Sequence, residues 1–297
     1  MLELEASGHG SVGVMAVGRS LGAWATVQAQ MRQLIHRALF CLGLLAGIAQ
    51  AAAPGVYLED FTWSELRDAL LAGTTTIIVP VGGTEQNGPH MVLGKHNLRA
   101  RILAGRIATE LGHTLVAPVI AYVPEGRISP PAGHMRFPGT ISVPDEALRG
   151  VLEGAARSFR PAGFRDIVLL GDSGNYQSQL QAVAAKLNRE WPASSTRAHF
   201  VAEYYRATQA PYIQALRDKG LSDAQIGAHA ASADTSLLLA VEPSGVRTDR
   251  LALADEPSSG VAGDPRAATA ELGRIGVELV VARSVAAIRA ALKQARR

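Results

Sequence analysis

The chain has 297 residues, 47% of them hydrophobic, with 30 glycines, 5% aromatics, a formal net charge of +3 and a mean hydropathy of +0.11. That length supports a large apolar core, and the basic residues are scattered rather than blocked together with aromatics, which leaves a nucleic-acid partner without support. The single cysteine, Cys41, excludes a disulfide framework and a cysteine-based zinc site.

Met31 opens a run with a basic start (Arg32, His36, Arg37), an apolar stretch from Ala38 to Ile48 and the small-x-small triplet Ala49-Gln50-Ala51. Basic, apolar, small is the order of a secretory signal peptide, and the apolar part is too short to span a bilayer as a helix. Cys41 sits inside the apolar run, away from the cleavage point, which argues against a lipid anchor. Met1–Gln30 then reads as a non-structural upstream extension, 31–51 as the signal, and 52–297 as one α/β domain. The mature chain is expected to begin near Ala52, to be periplasmic or secreted, and to have no membrane contact once the signal is removed.

Phe61–Ala72 reads as a short amphipathic helix with Ser64 as candidate N-cap, ending at Gly73. Ile77, Ile78 and Val79 form a β-branched run suited to a strand buried on both faces. Pro80, Gly82, Gly83, Gly88 and Pro89 break regular structure after it, and between them stand Glu85, Gln86, Asn87, His90, Lys95, His96 and Asn97. The pattern then predicts a helix over Leu98–Leu111, a strand over Thr114–Ile120, and a long Pro/Gly loop over Tyr122–Thr140 that carries Glu125, Arg127, His134 and Arg136. Loops of that length are commonly functional or disordered. Ile141 and Val143 suggest a brief strand. Asp145–Phe159 reads as a helix capped by Asp145, Asp166–Leu170 as a buried strand, Gln177–Arg189 as a helix and Ala198–Ala202 as a strand. Pro211–Lys219, Asp223–Ala228 and a segment from His229 through Ala240 look helical. A Gly/Pro/Ser loop over Ala254–Asp264 precedes a mostly helical Ala267–Ala295, within which Val277–Ala282 is ambiguous between helix and strand. Strands alternating with helices predict a mostly parallel sheet covered on both faces.

Three polar clusters fall where a parallel sheet would bring them to one edge: Glu85, Asn87, His90 and His96 after the first strand; Asp172, Ser173 and Asn175 after the third; His229 and Asp234 at a helix start. The long loop adds His134. Carboxylates with imidazoles suit Zn²⁺ or Mn²⁺, although a lone loop histidine is more often structural and Asp172, Asp234 and Asn87 each have a capping or turn role open to them. A serine nucleophile at Ser173 has little behind it, because Asn175 stands where G-x-S-x-G needs its last glycine. Gly82-Gly83 has neither the spacing nor the following helix of a phosphate loop.

The succession P-V-G-G-T-E-Q-x-G-P-H-x-x-L-G, H-M-R-F-P-G-T-I-S, H-A-x-x-x-D-T-S and G-V-A-G-D-P-R-A-A-T resembles the creatininase family of metal-dependent amidohydrolases, from about Val56 to Arg283. The resemblance implies a three-layer αβα sandwich with a mostly parallel central sheet. It also implies assembly as a homo-hexamer, and a two-metal site where activated water attacks a small, sometimes cyclic, amide. This chain departs from the family pattern: Asn87 and Ser173 stand at ligand-histidine positions, His96 at an aspartate position and Asp234 at a glutamate position. Two neutral, poor donors weaken a bridged pair of ions. The expectation is therefore one tightly held Zn or Mn ion, or none, with Glu85, His96, Asp172 and Asp234 as ligands. By the same resemblance Glu85 and His134 are the catalytic candidates, His134 facing the substrate as proton donor or anchor. The substrate is expected to be a small-molecule amide. The alternative is a catalytically degraded member that binds a small ligand or partner without hydrolysis.

Overall fold

A computed structural model describes residues 31–32, 55–256 and 258–296. Met31 and Arg32 are helical and exposed; the rest of the expected signal segment lies outside the described residues. Pro54–Arg297 form one compact unit.

Four strands make one parallel sheet in the order β2-β1-β3-β4, with β1 Thr76–Val81, β2 Thr114–Val116, β3 Asp166–Gly171 and β4 Arg197–Phe200. β1 and β3 are buried along their whole length and pair in register, Thr76 opposite Asp166 through Val81 opposite Gly171. Continuous burial is why both read as apolar runs without alternation. Alternate side chains of the two strands enter two separate cores. Ile78, Val168 and Leu170 pack under α2 (Lys95–Leu111), α8 (Ser232–Val241) and α9 (Ala270–Ala295). Ile77, Val79, Ile167 and Leu169 pack under α3 (Asp145–Ala162) and α4 (Gln177–Glu190). Each fully buried Leu or Ile contributes about 1.5–3 kcal/mol over an exposed one, so the helical layer on each face stabilises the sheet it covers. Trp191, 5% exposed, closes α4 within the second core, with the Arg160 guanidinium 5.3 Å from its ring centroid. The three-layer α/β architecture matches the sequence expectation.

Several boundaries differ. α1 is Trp63–Leu71, capped by Thr62 in a capping box with Glu65, not by Ser64. β1 continues through Pro80 to Val81: the missing Pro80 N–H is tolerated, and its carbonyl still accepts from the Ile120 N–H at 3.0 Å. β2 stops at Val116, and its expected continuation reduces to a single bridge between Ile120 and Val81. Ile141 and Val143 form no strand; their N–H groups bond the Thr84 and Val123 carbonyls. Pro144, not Asp145, is the N-cap of α3, and Asp145 accepts from the Gln179 side chain at 2.6 Å. Val277–Ala282 is helical within α9. Three further helices, α5 (Glu203–Thr208), α6 (Ala210–Asp218) and α7 (Asp223–Ile226), lead from β4 to α8; α5 had no counterpart in the sequence reading.

Candidate active site

The strand order reverses between β1 and β3, and in open α/β sheets the crevice outside such a switch point is where ligands bind. The loop leaving β1 is pressed against the start of α2. A side chain at Gly82 would meet Asn97 Cα at 2.9 Å, and Gly83, at φ +150°, donates its N–H to Asn97 Oδ1 at 2.9 Å. Only glycine permits that approach, and it delivers Glu85 to the sheet edge with 2% exposure. The loop leaving β3 is tied to the same edge: the Ser173 N–H donates to the Tyr176 hydroxyl at 3.0 Å, and that hydroxyl lies against the Val81 and Gly82 carbonyls.

The start of α2 then sets three cations among three carboxylates. His96 Nδ1 lies 2.6 Å from Asp172 Oδ2 and its Nε2 2.8 Å from Glu85 Oε1. A carboxylate at neutral pH only accepts, so both ring nitrogens must donate and His96 is an imidazolium. Arg99 reaches Asp172 Oδ2 from Nε at 3.0 Å and Nη2 at 2.8 Å, and Asp234 Oδ1 from Nη1 at 2.8 Å. Lys95, 1% exposed, sits 3.3 Å from Asp234 Oδ2 and 3.7 Å from Glu85 Oε1. Tyr204, on α5, donates to Asp172 Oδ1 at 2.8 Å. Burial and Lys95 push the His96 pKa down, but the bonds to Asp172 and Glu85 carry it above its ordinary value. Burial raises Glu85, Asp172 and Asp234, yet His96 holds Glu85 well below the carboxylate range, Lys95 with Arg99 does so for Asp234, and Arg99 lowers Asp172.

Outside this cage stand two more imidazoles. His134 comes from a short 3-10 turn, Gly133–Arg136, in the long loop, and His229 from just before α8. Their ring centroids are 4.4 Å apart. His134 Nε2 faces Glu85 Oε2 at 3.4 Å and His229 Nδ1 faces Glu85 Oε1 at 3.9 Å. Gln86 joins them. Its side-chain nitrogen lies 2.9 Å from His134 Nδ1, 2.9 Å from the Gly260 carbonyl and 3.0 Å from His229 Nε2, while its backbone carbonyl is 3.0 Å from His229 Nε2. An amide has two N–H groups for those three neighbours. The assignment that satisfies most groups sends them to His134 Nδ1 and Gly260, with His229 Nε2–H donating to the Gln86 carbonyl. His134 then carries its proton on Nε2, and His229 presents a lone pair at Nδ1. Burial, followed by Lys95, pushes His229 down to about 4, so it is neutral at pH 7. Glu125, 3% exposed and bonded by the Asn175 amide at 2.8 Å, is pushed up to about 8 by burial and by Glu85, so its carboxyl holds a proton at pH 7.

Of the residues expected from sequence, Glu85, His96, Asp172, Asp234, His134 and Ser173 line one cavity of about 240 Å³. Asn87 is elsewhere: fully buried, it donates to the Glu85 carbonyl at 2.9 Å and the Val92 carbonyl at 3.2 Å, clasping its own loop. The Ser173 hydroxyl accepts from the Asn175 N–H as a turn cap, and no imidazole bonds it among the described residues. Arg99 was missed as a site residue; His229 was placed in a converging polar cluster, and Gln86, Lys95 and Glu125 in polar loops, but none of the four was assigned a role. The Lys95–Arg99 spacing of four was the available signal, hidden because the helix was expected to begin at Leu98.

A family model for creatininase, described as creatinine amidohydrolase, matches residues 59–288. The chain belongs to the creatininase family. It is 31% identical over 228 residues to the mycofactocin precursor peptide peptidase of Mycolicibacterium smegmatis, an alignment spanning 69% of this chain and 81% of that protein. To the creatinine amidohydrolase of Pseudomonas putida it is 28% identical over 201 residues, or 66% and 75% of the two chains. A solved structure described as "Creatininase Mn" superposes with a TM-score of 0.65 at 25% identity, over 80% of this chain and 99% of that one. The relatives named here are hydrolases, and creatininase structures of the Mn and Zn-Zn types share the fold.

The donors present divide over a divalent ion. Ligand atoms of Glu85, His134 and His229 lie within 4.8 Å of one another, and one carboxylate with two imidazoles is a familiar set for a catalytic ion with an open position. His229 suits this role: neutral, with Nδ1 free and Nε2–H fixed on a backbone carbonyl. His96, Asp172 and Asp234 do not suit it, because their donor atoms are engaged by each other and by Arg99 and Lys95.

Proposed function

We propose that the chain is a hydrolase that cleaves a C–N bond of a small, open or cyclic, amide in the cavity at the β1/β3 switch point. Glu85, His134 and His229 would hold one divalent ion, Zn or Mn. The observation that carries this reading is the convergence of those three side chains on a cavity of about 240 Å³. Such an ion supplies Lewis acidity toward a carbonyl oxygen and lowers the pKa of water.

The protein's own groups divide the remaining work. Lys95 and the His96 imidazolium keep Glu85 ionised. The low proton affinity of His229 fits it to ligate rather than to act as base. Ligation through His134 Nε2 would move that ring's proton to Nδ1, where the Gln86 side chain, turned about, accepts it, so His134 serves as ligand and not as proton donor. Support for the reaction class comes from the hydrolytic relatives. A screen of amides and lactams with and without Mn²⁺ or Zn²⁺ tests it, with Glu85→Ala and His229→Ala expected to abolish both ion binding and turnover. The second reading, ligand binding without hydrolysis, is favoured by the self-neutralised cage beside Glu85. Protein that stays empty after Zn²⁺ or Mn²⁺ addition, and inert across the screen, would select it.

A further inference from the structure

The carboxylate oxygens at the sheet edge can be accounted for one at a time. Asp172 Oδ2 receives His96 and Arg99, and Asp172 Oδ1 receives Tyr204. Asp234 Oδ1 receives Arg99, and Asp234 Oδ2 receives Lys95 and the Ala230 N–H at 3.0 Å. Glu85 Oε1 receives His96 and has Lys95 next to it. Of these three carboxylates, among the described residues, Glu85 Oε2 alone is left, and it faces His134; Glu125 Oε1 lies outside this count, buried and without a hydrogen-bond partner. Both nitrogens of His96 are likewise spent. A divalent ion entering this inner compartment would have to displace a guanidinium or an ammonium and would meet the other at short range.

We propose that Lys95 and Arg99 are fixed internal counter-cations standing in for divalent charge at the inner carboxylates. The compartment of His96, Asp172 and Asp234 therefore binds no divalent ion, and each chain holds at most one, at Glu85–His134–His229. The inner half of this inference is independent of the proposed function; the outer half rests on it. The fixed cations also have a mechanical advantage over a bound ion. They are covalently part of α2, so the cage forms with the fold at any metal concentration, and the buried carboxylates never wait uncompensated for a ligand.

The test is ion stoichiometry. Full-length protein, His134→Ala, Lys95→Met and Arg99→Met are stripped with chelator, equilibrated with Zn²⁺ or Mn²⁺, desalted, and assayed by elemental mass spectrometry, with circular dichroism as the folding check. The wild type is expected to retain one ion per chain and His134→Ala none. Lys95→Met, which loses the longer contacts and keeps Arg99, is expected to fold and to gain one further ion; Arg99→Met should do the same where it folds. Two ions in the wild type, or a folded Lys95→Met with no gain, would each overturn the counter-cation role, and an ion retained in His134→Ala would overturn the outer triad. A wild type that holds no ion, with a gain in Lys95→Met, would sustain that role and sink the outer triad.

Discussion

Gln86 touches both outer histidines and fixes where their protons sit, through its side chain for His134 and its backbone for His229. Gln86→Leu keeps the backbone contact and loses the other. Supporting residues of this kind are worth about 10–100-fold in activity or ion affinity, so kcat/KM for whichever amide the screen identifies should fall by about that factor while circular dichroism is unchanged. Arg99 has a different kind of importance. Removing one member of a buried ion pair leaves a bare charge and costs about 3–5 kcal/mol, so Arg99→Ala should lower the denaturation midpoint strongly. The pH dependence of stability follows from the signs. Asp172 and Asp234 have depressed pKa values, so their stabilisation is present above the unfolded carboxylate pKa of about 3.9 and is lost as pH falls through the lower folded values. His96 is raised, so its stabilisation is present below about 6.5 and is lost as pH rises through its folded value. Thermal melts across pH should therefore peak between about 4.5 and 6.5; a maximum above pH 8 would contradict the cage. From sequence alone the polar clusters and their convergence were readable, because strand order and loop position decide them. The partners were not. Whether His96 meets an ion or two carboxylates depends on Lys95 and Arg99, whose helix face becomes apparent only once α2 starts at Lys95.

Helix starts are where local chemistry was least informative. α2 begins after Gly94, which offers no capping side chain, and its first turn, Lys95-His96-Asn97, is polar and looks like loop. α1 is the opposite case. Thr62 and Glu65 close a reciprocal capping box, and Thr62→Ala should destabilise by about 0.5–2 kcal/mol, measurable in urea. In α9 the β-branched run Val277–Ala282 has strand propensity, but burial at Gly273, Gly276, Val277, Val280, Val281, Ser284, Val285 and Ile288 follows helical spacing, and packing against α8 decides the outcome. Gly273 is the tightest point of that contact: a Cβ there would collide with the Ser236 backbone carbonyl. Gly273→Ala gains up to about 1 kcal/mol of helix propensity but incurs overpacking against backbone, which typically costs about 1–3 kcal/mol. A net loss is expected in a chemical denaturation curve.

At the level of the whole molecule, the sheet separates two apolar cores and leaves one edge for chemistry. That division was legible because buried parallel strands are short apolar runs whatever covers them. Two expectations concern the chain as it is made and assembled. Export with cleavage after Ala51 predicts a mature N-terminus at Ala52, to be read by intact mass of protein recovered from a secreting host; a processed form still carrying Met31 would refute it. Assembly as a homo-hexamer predicts about six times the mass of the 52–297 domain by light scattering. Trp191 adds a practical consequence. Cleavage near Ala52 would remove Trp24 and leave two indoles, Trp63 at 77% exposure and Trp191 at 5%. Trp191 lies before the first residue of β4, at the end of the sheet away from the cavity, with its carbonyl bonded by Arg197 at 3.0 Å. A chain so processed would carry one wet and one dry fluorophore. The red shift of emission on unfolding should come from Trp191 alone, while filling the cavity with Zn²⁺ should leave the spectrum unmoved, so one optical signal reports global integrity without interference from the site.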